Sequence, residues 1–119
     1  MTASCGQYSD AGRKLLARAL THLAEDDLLQ ASEKGWGAAA QMVKAAAESR
    51  GWRHQSHRDL YVAINRLSGD TSDSELNNLF AAAGSLDTNS YEGWLPRETV
   101  ERNLDRVATL VEKLDALER

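Results

Sequence analysis

The sequence predicts an all-α protein, an antiparallel up-and-down bundle of four or five helices. The chain has a single proline and few β-branched residues, a composition that favours helix over strand. Apolar residues recur at three- and four-residue intervals in long segments, which short polar stretches separate. Helices with short connections pack as antiparallel neighbours. With 119 residues, the chain suits one domain with one core.

The chain is predicted to begin with a disordered or frayed lead-in at residues 1–9, followed by a single helical domain over residues 10–119. Helix one is expected over about residues 10–25. Its apolar side chains repeat at helical spacing and should face the core: Leu15, Leu16, Ala19, Leu20 and Leu23. An acidic break follows this helix, and Asp27 in it can cap the next one.

Helix two, predicted over about residues 27–49, should be the central helix. One polar row predicts its solvated face: Gln30, Lys34, Gly37, Gln41, Lys44 and Glu48. Every other position is apolar or small, including the row Leu29, Ser32, Trp36, Ala39, Val43 and Ala46. That surface is wider than one partner helix needs, so it should contact two or three neighbours. Gly35 lies on the buried side, where it should let another backbone approach closely.

Helix three is predicted over about residues 57–67, after Gly51 ends helix two. Ser56 and Asp59 have the spacing of residues that cap a helix start. A loop is expected at residues 68–71, because Ser, Gly, Asp and Thr follow one another there.

Helix four is predicted to start with a capping box of Ser72 and Glu75 and to continue to about Tyr91. The last helix is predicted over about residues 96–117, with its proline in the first turn. Its inward face is a regular apolar stripe: Val100, Leu104, Val107, Val111 and Leu114.

Charge and composition limit the classes of partner and the cellular location that we expect for this protein. The net charge of −4 gives no basic footprint for nucleic acid, so a nucleic-acid partner is not expected. Cys5 is the only cysteine, so no internal disulfide can form. The first ten residues lack the pattern of a signal peptide, and no apolar run approaches a membrane span. We therefore expect a cytoplasmic protein without a membrane partner.

A basic segment, RGWRHQSHR at residues 50–58, joins helices two and three. It supplies candidates for an anion or nucleotide site: Arg50, Arg53, His54 and His57. A histidine can move a ribose hydroxyl proton while an arginine holds the phosphate, so Arg50 and His57 could serve a metal-independent ribonuclease. A solvated basic loop is the preferred interpretation. No metal is predicted, because no cysteine or carboxylate cluster completes a ligand set beside the histidines.

Two further groups of residues are candidates. Glu33, Tyr91 and Glu92 are candidate ligand contacts; Glu33 should pair with an arginine of an adjacent helix, and Tyr91 should hydrogen-bond Glu33 or Lys34. The candidate interface residues are Gly35, Trp36, Gly37 and Trp94. Exposed tryptophan is enriched at interface hot spots, and glycine permits close approach of a second backbone.

Three longer stretches are informative together: AEDDLLQASEKGWGAAAQMVKAAAESRG at residues 24–51, SHRDLYVAINRLSG at 56–69 and LFAAAGSLDTNSYEGWLPRETV at 79–100. They resemble the HEPN-like helical bundles, the higher-eukaryote and prokaryote nucleotide-binding group, and within it the small stand-alone prokaryotic members. The resemblance implies a four- or five-helix bundle that is often a homodimer. Some members of that group are metal-independent ribonucleases. Others are inert partners of small nucleotidyltransferases in toxin–antitoxin pairs.

The ribonucleases of that group carry an Arg and, one or two turns later, a His near the start of the last main helix. Residues 85–96 contain neither, and Asp87 stands at the place of the His. We therefore expect a non-catalytic HEPN-like bundle without a cofactor. It should act through self-association, first as a homodimer, or as an accessory subunit of a nucleotidyltransferase, with nucleotide binding as a further function. The alternative is the ribonuclease with Arg50 and His57.

Overall fold

The computed structural model describes residues 4–118, which form five α-helices without a strand. The helices are α1 Cys5–Ala24, α2 Leu28–Arg50, α3 His57–Thr71, α4 Glu75–Glu92 and α5 Arg97–Leu117. The predicted all-α bundle is therefore confirmed. Within residues 4–118, none of the helices has the length and apolar character that a membrane crossing requires.

The second helix is the centre of the bundle, as predicted, because α2 contacts each of the other four helices. Its buried face is built mainly from alanines that are 0–7% exposed: Ala31, Ala38, Ala39, Ala40, Ala45, Ala46 and Ala47. Such small side chains let neighbouring helices approach closely. The larger core side chains come from the surrounding helices, among them Phe80 of α4 and Leu104 of α5.

The connection between α2 and α3 runs back along α2. His57, the first residue of α3, stacks on Trp36, which lies about 21 Å along α2 from Arg50 at 1.5 Å per residue. Later in α3, the guanidinium of Arg66 lies 4.0 Å from the ring of Trp52, near the end of α2. Helices α2 and α3 therefore run in the same direction, a departure from a simple up-and-down order.

The first helix begins earlier than predicted. It starts at Cys5, because Ser4 and Gln7 form a capping box in which each side chain accepts a hydrogen bond from the other residue's backbone N–H. The predicted lead-in at residues 1–9 is therefore wrong for residues 5–9. Residues 1–3 lie outside the described part of the chain.

The third helix continues through the predicted loop at residues 68–71 and ends at Thr71. Ser72 does not start α4, as predicted, but ends α3 in the left-handed conformation, with φ of 56°. Asp73 takes over the capping role, since its carboxylate accepts a hydrogen bond of 3.2 Å from the backbone N–H of Glu75. The other predicted cap, Ser56 with Asp59, is present.

The predicted solvated face of α2 is only half-exposed, because α1 packs along it. A Cβ at Gly37 would lie 3.2 Å from Leu15 of α1, so this glycine serves a contact within the chain. The polar residues of the same row are all partly buried. Leu29, predicted to lie inward, is instead 48% exposed.

Gly35 lies where α2, α4 and α5 meet. A Cβ there would lie 2.5 Å from Leu104 and 3.0 Å from Leu86. The cost of glycine inside a helix, about 1 kcal/mol relative to alanine, is offset because this close packing leaves no room for a side chain. Gly35 therefore belongs to the core and is not accessible to another subunit.

Candidate functional site

The side chains of the basic segment at residues 50–58 point to different parts of the bundle. Arg50 Nη1 donates hydrogen bonds of 2.7 Å to Glu118 Oε1 and of 2.9 Å to the carbonyl of Ala46. Ala46 lies about 15 Å along α2 from Trp36, against which His57 stacks. The structure therefore does not bring Arg50 and His57 to one phosphate, as the ribonuclease alternative requires.

His54 and Arg53 belong to two further surroundings. His54 Nε2 lies 2.8 Å from Glu48 Oε2, and its ring meets Tyr8 of α1 edge-on at 5.4 Å between centroids. Arg53 is exposed and lines a small surface pocket beside Trp52. Within residues 4–118, no group of three or more His, Cys, Asp or Glu side chains could hold a metal ion.

His57 is part of an aromatic cluster at the start of α3. Its ring stacks on Trp36 at 5.1 Å between centroids, and its Nε2 lies 3.5 Å from Asp87 Oδ2 of α4. Burial of Tyr61, and to a smaller extent the charge of Asp87, raises the pKa of the Tyr61 hydroxyl. These contacts were not predicted, because residues of three helices meet here and no local pattern signals them.

A groove of about 210 Å³ borders this cluster. Trp36, Lys44 and His57 line it, and Lys44 forms no ion pair with another residue among 4–118. A free cation beside an aromatic surface is compatible with the nucleotide expected from the sequence. Nucleotide binding, for which the sequence offered Arg50, Arg53, His54 and His57, stays a prediction.

The contacts predicted for Glu33 and Tyr91 do not form among residues 4–118. Glu33 pairs with its neighbour Lys34 at 3.2 Å, and with no arginine among residues 4–118. Tyr91 is 82% exposed, and Glu92 also faces solvent. The inward residue of this segment is Asn89, which is 1% exposed, donates to Ser32 Oγ at 2.9 Å and accepts from the backbone N–H of Leu95 at 2.8 Å.

We expect Asn89→Ala to lower the free energy of unfolding by about 2 kcal/mol, since a buried polar group left without its partner costs about 1–3 kcal/mol. The variant would leave the Ser32 hydroxyl and the Leu95 N–H without their hydrogen-bond partner. Urea denaturation measures this change. Asn78→Ala, at an exposed position of the same helix, is the matched control and should stay within about 0.5 kcal/mol of the parent. Equal stabilities would contradict the role of Asn89.

Asn89 anchors the end of the bundle where exposed apolar side chains gather. Here α1 and α4 end and α2 and α5 begin. Leu29 is 48% exposed, Trp94 is 65% exposed and Tyr91 is 82% exposed, and we call these three residues the terminal patch. Leu20, 43% exposed, lies one turn before the end of α1 at the same end. Large exposed apolar groups that gather in one region mark a binding surface.

A pocket of about 350 Å³ opens within this end of the bundle. Leu28, Leu29 and Leu95 line it together with Gly93, where α4 ends in the left-handed conformation. Asp26 and Asp27 also line the pocket, and both are exposed, so their carboxylates lie at its mouth. The arrangement is an apolar pocket with an acidic rim.

Acidic residues exceed basic ones around the terminal patch. The carboxylates of this region are Glu25, Asp26, Asp27, Glu33 and Glu92. Two of the basic side chains near it are already paired, Lys34 with Glu33 at 3.2 Å and Arg97 with Asp26 at 2.8 Å. His22 Nδ1 lies 3.7 Å from Glu25 and carries charge only when protonated. The terminal patch therefore lies in a region of negative charge.

Sequence reasoning identified Trp94 and Tyr91 as candidates but missed Leu29 and the pocket. Leu29 shares the helical period of the buried side chains of α2, so its exposure has no signal in the sequence. The doublet Asp26-Asp27 could have suggested an acidic surface, but only the fold brings it close to the segment at residues 93–95.

The fold and this surface define a small all-α helical bundle with an apolar, acid-rimmed end. The chain belongs to the archaeal PaREP1/PaREP8 family, whose model matches residues 7–111. It is similar to a crystal structure of a protein from Sulfolobus solfataricus, with a TM-score of 0.83 and 20% identity over 92% of this chain and 97% of that one. That identity supports the fold alone. A comparison with curated proteins gives no match.

Proposed function

We propose that this protein is a non-catalytic helical-bundle subunit that acts by binding another polypeptide chain through the terminal patch. The exposure of Trp94 carries the proposal. A tryptophan that is 65% exposed leaves a large apolar surface in water, and Tyr91 and Leu29 at the same end enlarge this surface. Tryptophan and tyrosine are also the residues that contribute most to binding energy at protein interfaces.

The positions of the basic side chains support a non-catalytic role. Arg50 is engaged by Glu118 at the opposite end of the bundle from Trp94, and His57 pairs with Asp87. The ribonuclease alternative needs an arginine and a histidine at one phosphate, and no observation favours that arrangement here.

The resemblance to HEPN-like bundles supports the same proposal, because members of that group work as partners of small nucleotidyltransferases or as homodimers. A second copy of this chain and a nucleotidyltransferase are therefore the first partners to consider. Both stay predictions, as does a cytoplasmic location.

The test compares three versions of the tagged protein in an extract of its native cells. We expect the parent to retain a partner at near-equal amount, and Trp94→Ser to lose it by about tenfold or more, as for a hot-spot residue. Mass spectrometry measures the retained partner, and light scattering measures self-association. Val62→Ser is the matched control, since Val62 is 44% exposed but lies on α3.

Two outcomes would overturn the proposal. One is a parent protein that is monomeric and retains no partner at near-equal amount. The other is a partner that Trp94→Ser retains as well as the parent and Val62→Ser do, because the contact surface would then lie elsewhere.

A further inference from the structure

We infer that the terminal patch binds a basic partner segment, one that places a Lys or Arg side chain in the pocket beside Leu29 and apolar side chains against Trp94. The inference rests on the proposed function and names the chemistry of the partner. It follows from the pocket, from the charges around it and from what a second copy of the chain would bring to the same surface.

The pocket fits a long cationic side chain. Leu28 and Leu95 are half-buried inside it, and the carboxylates of Asp26 and Asp27 stand at its mouth. Lys and Arg bury an aliphatic stem against apolar surface while the charged group stays at a polar boundary. The leucines would contact the stem, and the carboxylates would meet the charge. A volume of about 350 Å³ is sufficient for such a side chain.

The carboxylates at the mouth keep accessible oxygen atoms. Asp26 uses one oxygen to accept from Arg97 at 2.8 Å, and Asp27 uses one to cap the N–H of Gln30 at 3.2 Å. A carboxylate can accept several hydrogen bonds, so both have capacity left for a partner's cation. Trp94 follows the pocket residue Gly93 in the chain, and its exposed ring offers a cation an aromatic face.

The same charges disfavour a second copy at this surface. In a two-fold dimer the terminal patch would meet its own copy, so the acidic rims of both chains would face each other. Like charges brought together across an interface oppose binding, whereas opposite charges steer the partner and fix its register. The basic segment at residues 50–58 of a second copy could meet the acidic rim only in a head-to-tail contact, which does not close a two-fold dimer, and its Arg50 is already paired with Glu118. The occupant that the charges favour is therefore a different, basic chain.

The experiment uses two synthetic helical peptides as probes, one of leucine and lysine and the other with glutamate at every lysine position. Isothermal titration calorimetry measures the binding of each to the full chain at low and high salt. We expect the lysine peptide to bind, more weakly at high salt, and the glutamate peptide not to bind. Trp94→Ser should weaken the binding of the lysine peptide by about tenfold.

A pair of charge-reversal variants locates the site. Glu92→Lys should weaken the binding of the lysine peptide about twofold to fivefold, which is the effect expected from the loss of an exposed ion pair. The helix should tolerate it, since a cation in the last turn of α4 is favourable. Glu112→Lys is the matched control, because it changes the net charge equally at an exposed position near the other end. If both variants weaken the binding of the lysine peptide equally, the inference is overturned, because the peptide would then be attracted by the net charge of the protein and not by this surface.

The remaining outcomes separate this inference from the proposed function. If both peptides bind equally through Trp94, the surface selects apolar character alone, so the inference fails and the proposed function stands. If neither binds and the chain forms a dimer that Trp94→Ser dissociates, the occupant is a second copy, and again only the inference fails. If neither binds, the chain is monomeric and the extract yields no partner, both fail.

Discussion

Phe80→Ala is expected to lower the free energy of unfolding by about 3–5 kcal/mol, the range for removing a fully buried aromatic ring. Phe80 of α4 is 0% exposed. Its ring lies 5.4 Å from that of Trp36 on α2 and 4.8 Å from that of Tyr61 on α3, between ring centroids. The variant would therefore open a cavity where three helices meet. Urea denaturation followed by circular dichroism measures the change.

Phe80→Leu is the matched control for this prediction. It keeps an apolar side chain of intermediate volume, so the loss should be smaller, about 1–2 kcal/mol. A loss below about 1 kcal/mol for Phe80→Ala would mean that the neighbouring side chains collapse into the space. That result would contradict the packing of Trp36, Phe80 and Tyr61 as one rigid cluster.

The helical architecture could be predicted because its causes are local. The alanine-rich sequence of α2 can face neighbours on several sides, and its central place follows from that composition alone. Gly51 and Gly93 end their helices in the left-handed conformation, which glycine adopts without strain. Ser56 and Asp59 start α3 through a reciprocal pair of hydrogen bonds between neighbours in sequence.

The errors in the predicted secondary structure arise where two local sequence signals favour different helix boundaries. Ser72 and Glu75 have the spacing of a capping box, but Ser72 ends α3 instead, and Asp73 caps α4. Lys113 of α5 fixes this choice, because its ammonium donates to Asp73 at 2.7 Å. This hydrogen bond holds the pKa of the Asp73 carboxyl below its usual range. A contact between residues so distant in sequence has no signature in a local motif.

The candidate site was less predictable than the fold for the same reason. A compact segment such as RGWRHQSHR suggests a shared site, yet Arg50, His54 and His57 contact Glu118, Glu48 and Asp87 respectively. Residues that are close in sequence can direct their side chains to different sides of the bundle. Turns at one end of the bundle, in contrast, bring segments that are distant in sequence close together in space. The surface at Leu29 and Trp94 arises in this second way, from the α1–α2 turn and the α4–α5 connection.

Gly35→Ala is expected to destabilise the protein by up to about 2 kcal/mol, although alanine is the better helix former by about 1 kcal/mol. The new Cβ would lie 2.5 Å from Leu104, which is fully buried, and such overpacking costs about 1–3 kcal/mol. Gly69→Ala is the control, since Gly69 lies inside α3 and a Cβ there meets nothing within 4 Å. That variant should be stabilised by about 0.5–1 kcal/mol. Thermal and urea unfolding of both variants measure the changes in the free energy of unfolding, which should have opposite signs.

Introducing Gly35→Ala into the Leu104→Ala variant tests whether contact with Leu104 causes the destabilisation. Leu104→Ala alone should cost about 2–5 kcal/mol, because it leaves a cavity beside α2. In that background Gly35→Ala no longer meets Leu104 and fills part of the cavity, so it should stabilise the protein by about 1 kcal/mol. A change of sign between the two backgrounds would assign the cost to this one contact. If Gly35→Ala is equally destabilising in both, the remaining close neighbour Leu86 sets the packing limit, because its Cδ1 would lie 3.0 Å from the new Cβ.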